Sequence, residues 1–125
     1  MTFALGPVAG WIALALIPLA AAGGWITRRF VKGAFRSRMR PHYFLGYAAL
    51  VLTLVHLATS MGSMGGANST GIWLATFALL GLGWQALIGT NLQSPGGYRI
   101  VLRRWHLVTF VAVAIFAVGH VALNR

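Results

Sequence analysis

Three residue types that carry much of enzyme chemistry are missing from this chain of 125 residues, which contains no Asp, no Glu and no Cys. Without carboxylates it has no acidic general acid or base, no carboxylate ligand for a metal ion and no acidic proton relay. Without Cys it has no disulfide, no thiolate nucleophile, no iron–sulfur ligand and no thioether link to a prosthetic group. Histidine, which occurs four times, is therefore the residue left for redox chemistry.

Charge is also scarce, because charged residues make up 8% of the chain and hydrophobic residues 58%. Such a composition is typical of membrane proteins. A hydrocarbon core of about 30 Å needs about 20 helical residues, and the apolar runs predict four such spans. Their predicted bounds are 7–26, 43–61, 72–89 and 107–123. We therefore predict an all-α membrane protein, a single domain over 1–125, in which four transmembrane helices form an up-down-up-down bundle.

The first span has one competing interpretation. The run Ala20-Ala21-Ala22-Gly23 resembles the cleavage site of a signal peptide. However, no Lys or Arg precedes the span, whereas basic residues follow it directly at 28, 29 and 32. This order favours a retained transmembrane helix with a positive anchor.

Nine of the ten basic residues lie in the segments between spans one and two and between spans three and four. They are Arg28, Arg29, Lys32, Arg36, Arg38 and Arg40, then Arg99, Arg103 and Arg104, whereas Arg125 lies at the other side. Because cytoplasmic loops are rich in Lys and Arg, we expect both loops in the cytoplasm and both termini outside it. We expect the membrane to be a bacterial inner membrane.

The four histidines form two pairs of identical spacing, His42 with His56 and His106 with His120. Fourteen helical steps advance about 21 Å and return to within roughly 40° of the same direction. Spans two and four run parallel in the predicted bundle, so His42 would match His106 near the cytoplasm, and His56 would match His120 near the opposite surface. Two haems with histidine on both axial faces require such an arrangement.

Each histidine taken alone has a simpler explanation. A histidine in a membrane helix can donate to a carbonyl or a hydroxyl, and one near an interface can be solvated. Ionisable residues inside a membrane are costly, however, and are functional by default. Four of them on one spacing favour metal ligation, and ligands about 21 Å apart on a helix cannot share one small ion.

The residues around the histidines add to this interpretation. Gly46, Ala49 and Thr53 form a strip of small side chains between His42 and His56, against which a flat porphyrin can lie. Helix packing explains such a strip equally well. Each ligating imidazole must also fix its second nitrogen, for which the hydroxyls of Thr53, Thr59 and Thr109 or the helix carbonyls are available.

The arginines nearest the cytoplasmic histidines are candidates for pairing with haem propionates. These are Arg40, Arg103 and Arg104, with Arg99 close by. Guanidinium groups form charge-assisted hydrogen bonds with carboxylates. Setting topology is the alternative role, and anionic lipid headgroups or an acidic cytoplasmic subunit are alternative partners.

The segments from Arg40-Pro41-His42 to Val55-His56-Leu57 and from Arg103-Arg104-Trp105-His106 to Gly119-His120-Val121 resemble the paired-histidine helices of di-haem b-type membrane cytochromes. They are most similar to the ferric-reductase-like transmembrane domain. The resemblance implies two low-spin b-type haems held by the four histidines. It covers spans two to four, without the flavin and nicotinamide domain that many ferric reductases carry and without the acidic quinol-site motif of bc-type cytochromes.

The resemblance implies transmembrane electron transfer. We expect a cytochrome b subunit or membrane anchor of a larger redox complex, with a redox protein or other subunits as partners, the lipid bilayer as surroundings and no nucleic acid bound. Two alternatives stay open. One is a quinone-reactive anchor of a respiratory dehydrogenase, and the other is a pigment-binding or purely structural small membrane subunit.

Overall fold

The computed structural model describes residues 5–94 and 96–124, and these residues are mostly helical, with no strand among them. The elements are α1 (Leu5–Phe30), α2 (Phe35–Arg38), α3 (Arg40–Ser60), a 3₁₀ segment (Met61–Gly66), α4 (Ser69–Asn91) and α5 (Arg99–Leu123). Helices α1, α3, α4 and α5 are long and apolar enough to cross a membrane. The predicted all-α class with four spans is confirmed, and the chain has the helices of an integral membrane protein.

The helices extend beyond the apolar spans that the sequence predicts. Helix α5 begins at Arg99 instead of residue 107, and α3 begins at Arg40 instead of residue 43. Hydropathy marks only the apolar part of a helix, whereas the helix itself can continue at the membrane surface. There the long side chain of an arginine keeps its charge in water.

The chain divides after Met61 into two compact units. In the first unit α1 packs against α3, and in the second α4 packs against α5. Both pairs are antiparallel, since the start of α3 contacts the end of α1, and the start of α5 contacts the end of α4. We call them the first and second hairpin, and the association of the two in one bundle stays a prediction.

A row of small residues on α1 forms its packed face in the first hairpin. The buried residues recur every three or four positions, and they are Gly6, Ala9, Ala13, Ile17, Ala20 and Gly24. This spacing places them on one side of a helix. Small side chains allow two membrane helices to approach closely, which is how such helices associate without a hydrophobic driving force.

The second hairpin packs around Val113, which is 1% exposed. A Cβ atom at Gly81 would lie 2.5 Å from Cγ2 of Val113, so the absence of a side chain on α4 creates the space that the valine fills. Nearer the C-terminal end of α5, a Cβ at Gly119 would lie 2.9 Å from Cδ1 of Leu74. Glycines on both helices therefore set the distance between them.

Candidate functional site

Both histidines of α3 donate a hydrogen bond to α1. Nδ1 of His42 lies 2.8 Å from the main-chain oxygen of Ala20, and Nδ1 of His56 lies 2.7 Å from that of Gly6. Both side chains are half-buried. Because a carbonyl oxygen can only accept, Nδ1 carries the proton in each ring and the lone pair of the neutral imidazole lies on Nε2.

Glycines on α1 make room for these two rings. A Cβ at Gly10 would lie 2.8 Å from Nδ1 of His56, and a Cβ at Gly24 would lie 3.1 Å from Nδ1 of His42. Each glycine follows the accepting carbonyl by one helical turn. Fourteen positions separate the two acceptors, at 6 and 20, and also the two glycines, at 10 and 24. This is the spacing of the two histidines of α3. Helix α1, which contains no histidine, is thus built as the support for both rings of α3.

The second hairpin repeats this arrangement at the end opposite Arg99, Arg103 and Arg104. Nδ1 of His120 lies 2.9 Å from the main-chain oxygen of Gly71, near the start of α4. The tautomer follows as before, with the proton on Nδ1 and the lone pair on Nε2. Three of the four predicted ligands therefore use a carbonyl of the preceding long helix as their support, which is the usual second contact of a metal-ligating histidine.

Polar side chains one turn after His56 and His120 complete this end of each hairpin. Ser60 Oγ lies 3.5 Å from Nδ1 of His56. In the second hairpin, Asn124 donates from Nδ2 to the main-chain oxygen of His120 at 3.0 Å and accepts at Oδ1 from the main-chain N–H of Asn68 at 2.9 Å. Asn124 thus joins the end of α5 to the start of α4 beside a candidate ligand.

We call the end of each hairpin at which α3 or α5 begins its arginine-rich end. His106 lies near this end of the second hairpin, where it faces Gly89 and Gln85 of α4. Its Cε1 would be 3.9 Å from a Cβ at Gly89, and its main-chain oxygen accepts from Nε2 of Gln85 at 2.6 Å. Oε1 of Gln85 is buried and has no hydrogen-bond partner within residues 5–94 and 96–124. Leaving an amide oxygen in that state costs about 1–3 kcal/mol.

The predicted strip of small residues on α3 divides between packing and open space. Ala49 is 1% exposed and is the one buried residue of α3, so it belongs to the packing of the first hairpin. A Cβ at Gly46 would meet nothing within 4 Å. Thr53 Oγ1 donates to the carbonyl of Ala49 at 2.8 Å. Thr59 and Thr109 likewise donate to carbonyls of their own helices. Of the groups that could accept from the second ring nitrogen of a ligating histidine, the helix carbonyls therefore fit three of the four histidines.

Arginines lie beside the histidines at one end of each hairpin. Arg40 is exposed at the first residue of α3, and Arg103 and Arg104 are exposed on the second turn of α5. Arg104 shares an exposed face of α5 with Val101, Trp105 and Val108. Such a guanidinium can form charge-assisted hydrogen bonds with an anion.

Two further arginines close the loops at this end. Arg38 donates from Nη1 to the carbonyl of Val31 at 3.2 Å, and Arg99 donates from Nη2 to the carbonyl of Leu92 at 3.2 Å. Each acceptor is the first residue after a long helix. The two bonds hold the chain as it turns from α1 toward α3 and from α4 into α5.

Sequence reasoning missed Gly10, Gly24, Gln85 and Asn124. The glycines carried a usable signal, because their spacing in α1 equals that of the histidines in α3. Asn124 also carried one, since it follows His120 by one helical turn, as Ser60 follows His56. The partner of Gln85 depends on the register of α4 against α5, which the sequence alone does not give.

No group of three or more His, Cys, Asp or Glu side chains that could hold a metal ion occurs in the part of the chain that the structure describes. Comparison with models of protein families, with curated proteins and with solved structures finds no match to this chain.

Proposed function

We propose that this protein carries electrons across a membrane through two b-type haems, each ligated by two of its four histidines. The observation that carries the proposal is the hydrogen bond from Nδ1 of His42, His56 and His120 to a carbonyl of the neighbouring helix. That bond restrains the ring and leaves the lone pair on Nε2. Metal-ligating histidines are held in this way.

The chemistry of the chain suits haem as the group that these rings bind. A neutral imidazole is an axial ligand of haem iron, and four imidazoles provide for two irons. The helices supply apolar surroundings for a porphyrin, and a formal charge of +10 without any carboxylate suits propionate groups. Histidines of one helix are about 21 Å apart, so they would serve different irons.

The proposed pairing is supported by the place of each histidine within its own hairpin. His42 and His106 lie at the arginine-rich ends, and His56 and His120 lie at the opposite ends. We therefore assign His42 with His106 to one haem and His56 with His120 to the other.

The arginines beside His42 and His106 are the residues we assign to propionates. Arg40, Arg103 and Arg104 are exposed and adjoin these histidines, so their guanidinium groups can form charge-assisted hydrogen bonds with carboxylates. Of the strip between His42 and His56, Gly46 and Thr53 fit a role in porphyrin contact. Ala49 contributes to the packing that positions them.

A bound haem would supply a one-electron couple whose iron is closed to other ligands by its two imidazoles, which favours electron transfer over oxygen binding. The chain's own part is to hold the rings and keep water out. The carbonyls of α1 and α4 that accept from Nδ1 of His42, His56 and His120 would orient these three rings toward a bound haem.

The cellular setting is proposed from the basic residues. Nine of the ten flank the histidines at the arginine-rich ends, which the positive-inside rule assigns to the cytoplasm, so both termini lie outside. We assign the protein to a bacterial inner membrane, as a cytochrome b subunit or anchor that receives electrons from a partner. The cationic loops suit an acidic redox protein or subunit, and the lipid bilayer surrounds the helices.

The proposal is tested by counting haems in the purified protein. A pyridine haemochrome assay should give two b-type haems per chain, and His56→Ala and His120→Ala should each reduce the count to one. A matched control is Thr76→Val, which removes a polar group of α4 that donates only to its own helix at the carbonyl of Ile72. The control should keep both haems.

Other results would assign a different function. Less than one haem per chain would contradict the proposal, and bound magnesium pigment, recognised by its spectrum, would favour the pigment-binding alternative. Steady-state turnover of the di-haem protein with a quinone analogue, without a protein partner, would support a quinone-reactive anchor. Loss of no haem in either histidine variant would show that the assigned ligands are wrong.

A further inference from the structure

Gln85 is a polar residue in the apolar part of α4 that contacts a candidate ligand on α5. From residue 77 to residue 89 it is accompanied only by apolar residues and glycines. Its Nε2 donates to the main-chain oxygen of His106 at 2.6 Å, and its buried Oε1 has no hydrogen-bond partner among the described residues. An apolar side chain would avoid the unsatisfied oxygen, so the stability of the hairpin does not explain this amide.

The position of Gln85 belongs to the same register as the supports of the other histidines. In α1, fourteen residues separate Gly6 from Ala20, whose carbonyls accept from His56 and His42. In α4, the same interval separates Gln85 from Gly71, whose carbonyl accepts from His120. Gln85 is therefore the residue of α4 that corresponds to Ala20, and it brings a polar side chain to the place where the first hairpin has a methyl group.

A general role in helix association is the simpler explanation, because amide side chains form hydrogen bonds between membrane helices. Two observations favour a specific role. The acceptor is the carbonyl of His106 itself, and the amide oxygen that is left over is buried on an apolar stretch of α4. A partial negative charge in such surroundings acts strongly on a nearby redox centre, since little solvent screens it.

We propose that Gln85 is a positioning residue that holds His106 against α4 and lowers the midpoint potential of the haem ligated by this histidine. The second half of this statement rests on the proposed haem function. The partial negative charge on Oε1 favours the ferric state, which carries one more positive charge than the ferrous state. The haem at the arginine-rich end would therefore differ from the other in a way that the paired histidines alone do not produce.

The test is a redox titration of the full-length di-haem protein carrying Gln85→Met, which keeps the length of the side chain but removes both polar atoms. One of the two midpoint potentials should rise and the other should stay unchanged, and the low-spin EPR signal of the same haem should shift. The control is Asn91→Leu, which removes a carboxamide of α4 that donates to its own helix, at Leu87 O, 2.8 Å away. It should change neither potential.

A second measurement separates failure of this proposal from failure of the haem function. In full-length protein prepared without haem, the ¹³C shift of the His106 carbonyl should move upfield in Gln85→Met, because that carbonyl loses a hydrogen bond. An unchanged carbonyl shift would overturn the positioning role whether or not the wild type binds haem. If the wild type binds two haems, unchanged potentials in Gln85→Met, or an equal shift of both, would overturn the effect on the redox centre.

Discussion

Nδ1 of His56 lies 2.7 Å from the main-chain oxygen of Gly6, although 50 positions separate these residues along the chain. The same relationship recurs between His42 and Ala20, fourteen residues later in α1 and fourteen residues earlier in α3. The orientation of two candidate ligands is thus decided by α1, a helix without a histidine of its own. Changes in α1 should therefore affect haem binding even though the ligands are untouched.

Gly10→Ala is the smallest such change. The new Cβ would lie 2.8 Å from Nδ1 of His56, closer than a side chain can approach, so the ring must move off its carbonyl. We expect haem content to fall from two toward one per chain in the pyridine haemochrome assay. The matched control is Gly23→Ala, whose Cβ would meet only Cδ1 of Leu45 at an ordinary 3.7 Å. Two haems with wild-type spectra in Gly10→Ala would show that the ring does not depend on this contact.

Asn124→Ala should loosen the end of the second hairpin that contains His120. The substitution removes one hydrogen bond to the N–H of Asn68 and one to the carbonyl of His120. With about 1 kcal/mol for each bond, exchange of the Asn68 amide hydrogen should accelerate by roughly five-fold or more. Asn91→Ala, at the other end of α4, serves as the control because Asn91 donates within its own helix. Equal exchange rates in the wild type and Asn124→Ala would contradict the proposed link.

Gly81→Ala should destabilise the second hairpin through a single contact. A Cβ there would lie 2.5 Å from Cγ2 of Val113, a side chain that is 1% exposed, and overpacking of this kind costs about 1–3 kcal/mol. Val113→Ala should also destabilise the hairpin, since it leaves a cavity. The double variant should recover part of the loss, because the smaller side chain vacates the space. Thermal unfolding in detergent measures all three, and strictly additive losses would count against this contact.

The arrangement of basic residues predicts the topology of the chain. Alkaline phosphatase fused after Arg125 should be active in a bacterial host, since the enzyme folds only outside the cytoplasm, and a green fluorescent protein at the same place should be dark. Fusions in the segment between α1 and α3 should give the opposite result. Nine basic residues in the two arginine-rich segments are the physical reason. A fluorescent fusion after Arg125 would reverse the proposed orientation.

The helices could be predicted from the sequence because their cause is local. Apolar runs of membrane-spanning length require helices, since no water satisfies the backbone in lipid. The ends of the helices were less predictable. Helix α5 begins at Arg99, whereas hydropathy begins the apolar span at residue 107, because charged residues continue a helix at the surface without adding to its apolar length.

The spacing singles out the histidines as candidate ligands, but it does not identify the groups that support them. The spacing predicts which residues share a face of one helix, whereas the partner of a ring depends on how that helix is aligned with its neighbour. The hydroxyl of Thr53 was a reasonable candidate and donates instead to Ala49 O, within its own helix. The carbonyl of Ala20 carries out the role through the main chain, which leaves no side chain to recognise in the sequence.

Ligation of two haems by four histidines is tested most directly by low-temperature EPR of the oxidised, purified protein. Because each iron would have two imidazole ligands, the spectrum should contain two low-spin ferric signals and no high-spin signal. Each signal should be lost separately, one in His42→Ala or His106→Ala and the other in His56→Ala or His120→Ala. A high-spin spectrum of the wild type, or a protein that binds no haem when expressed with an ample supply of it, would contradict this ligation.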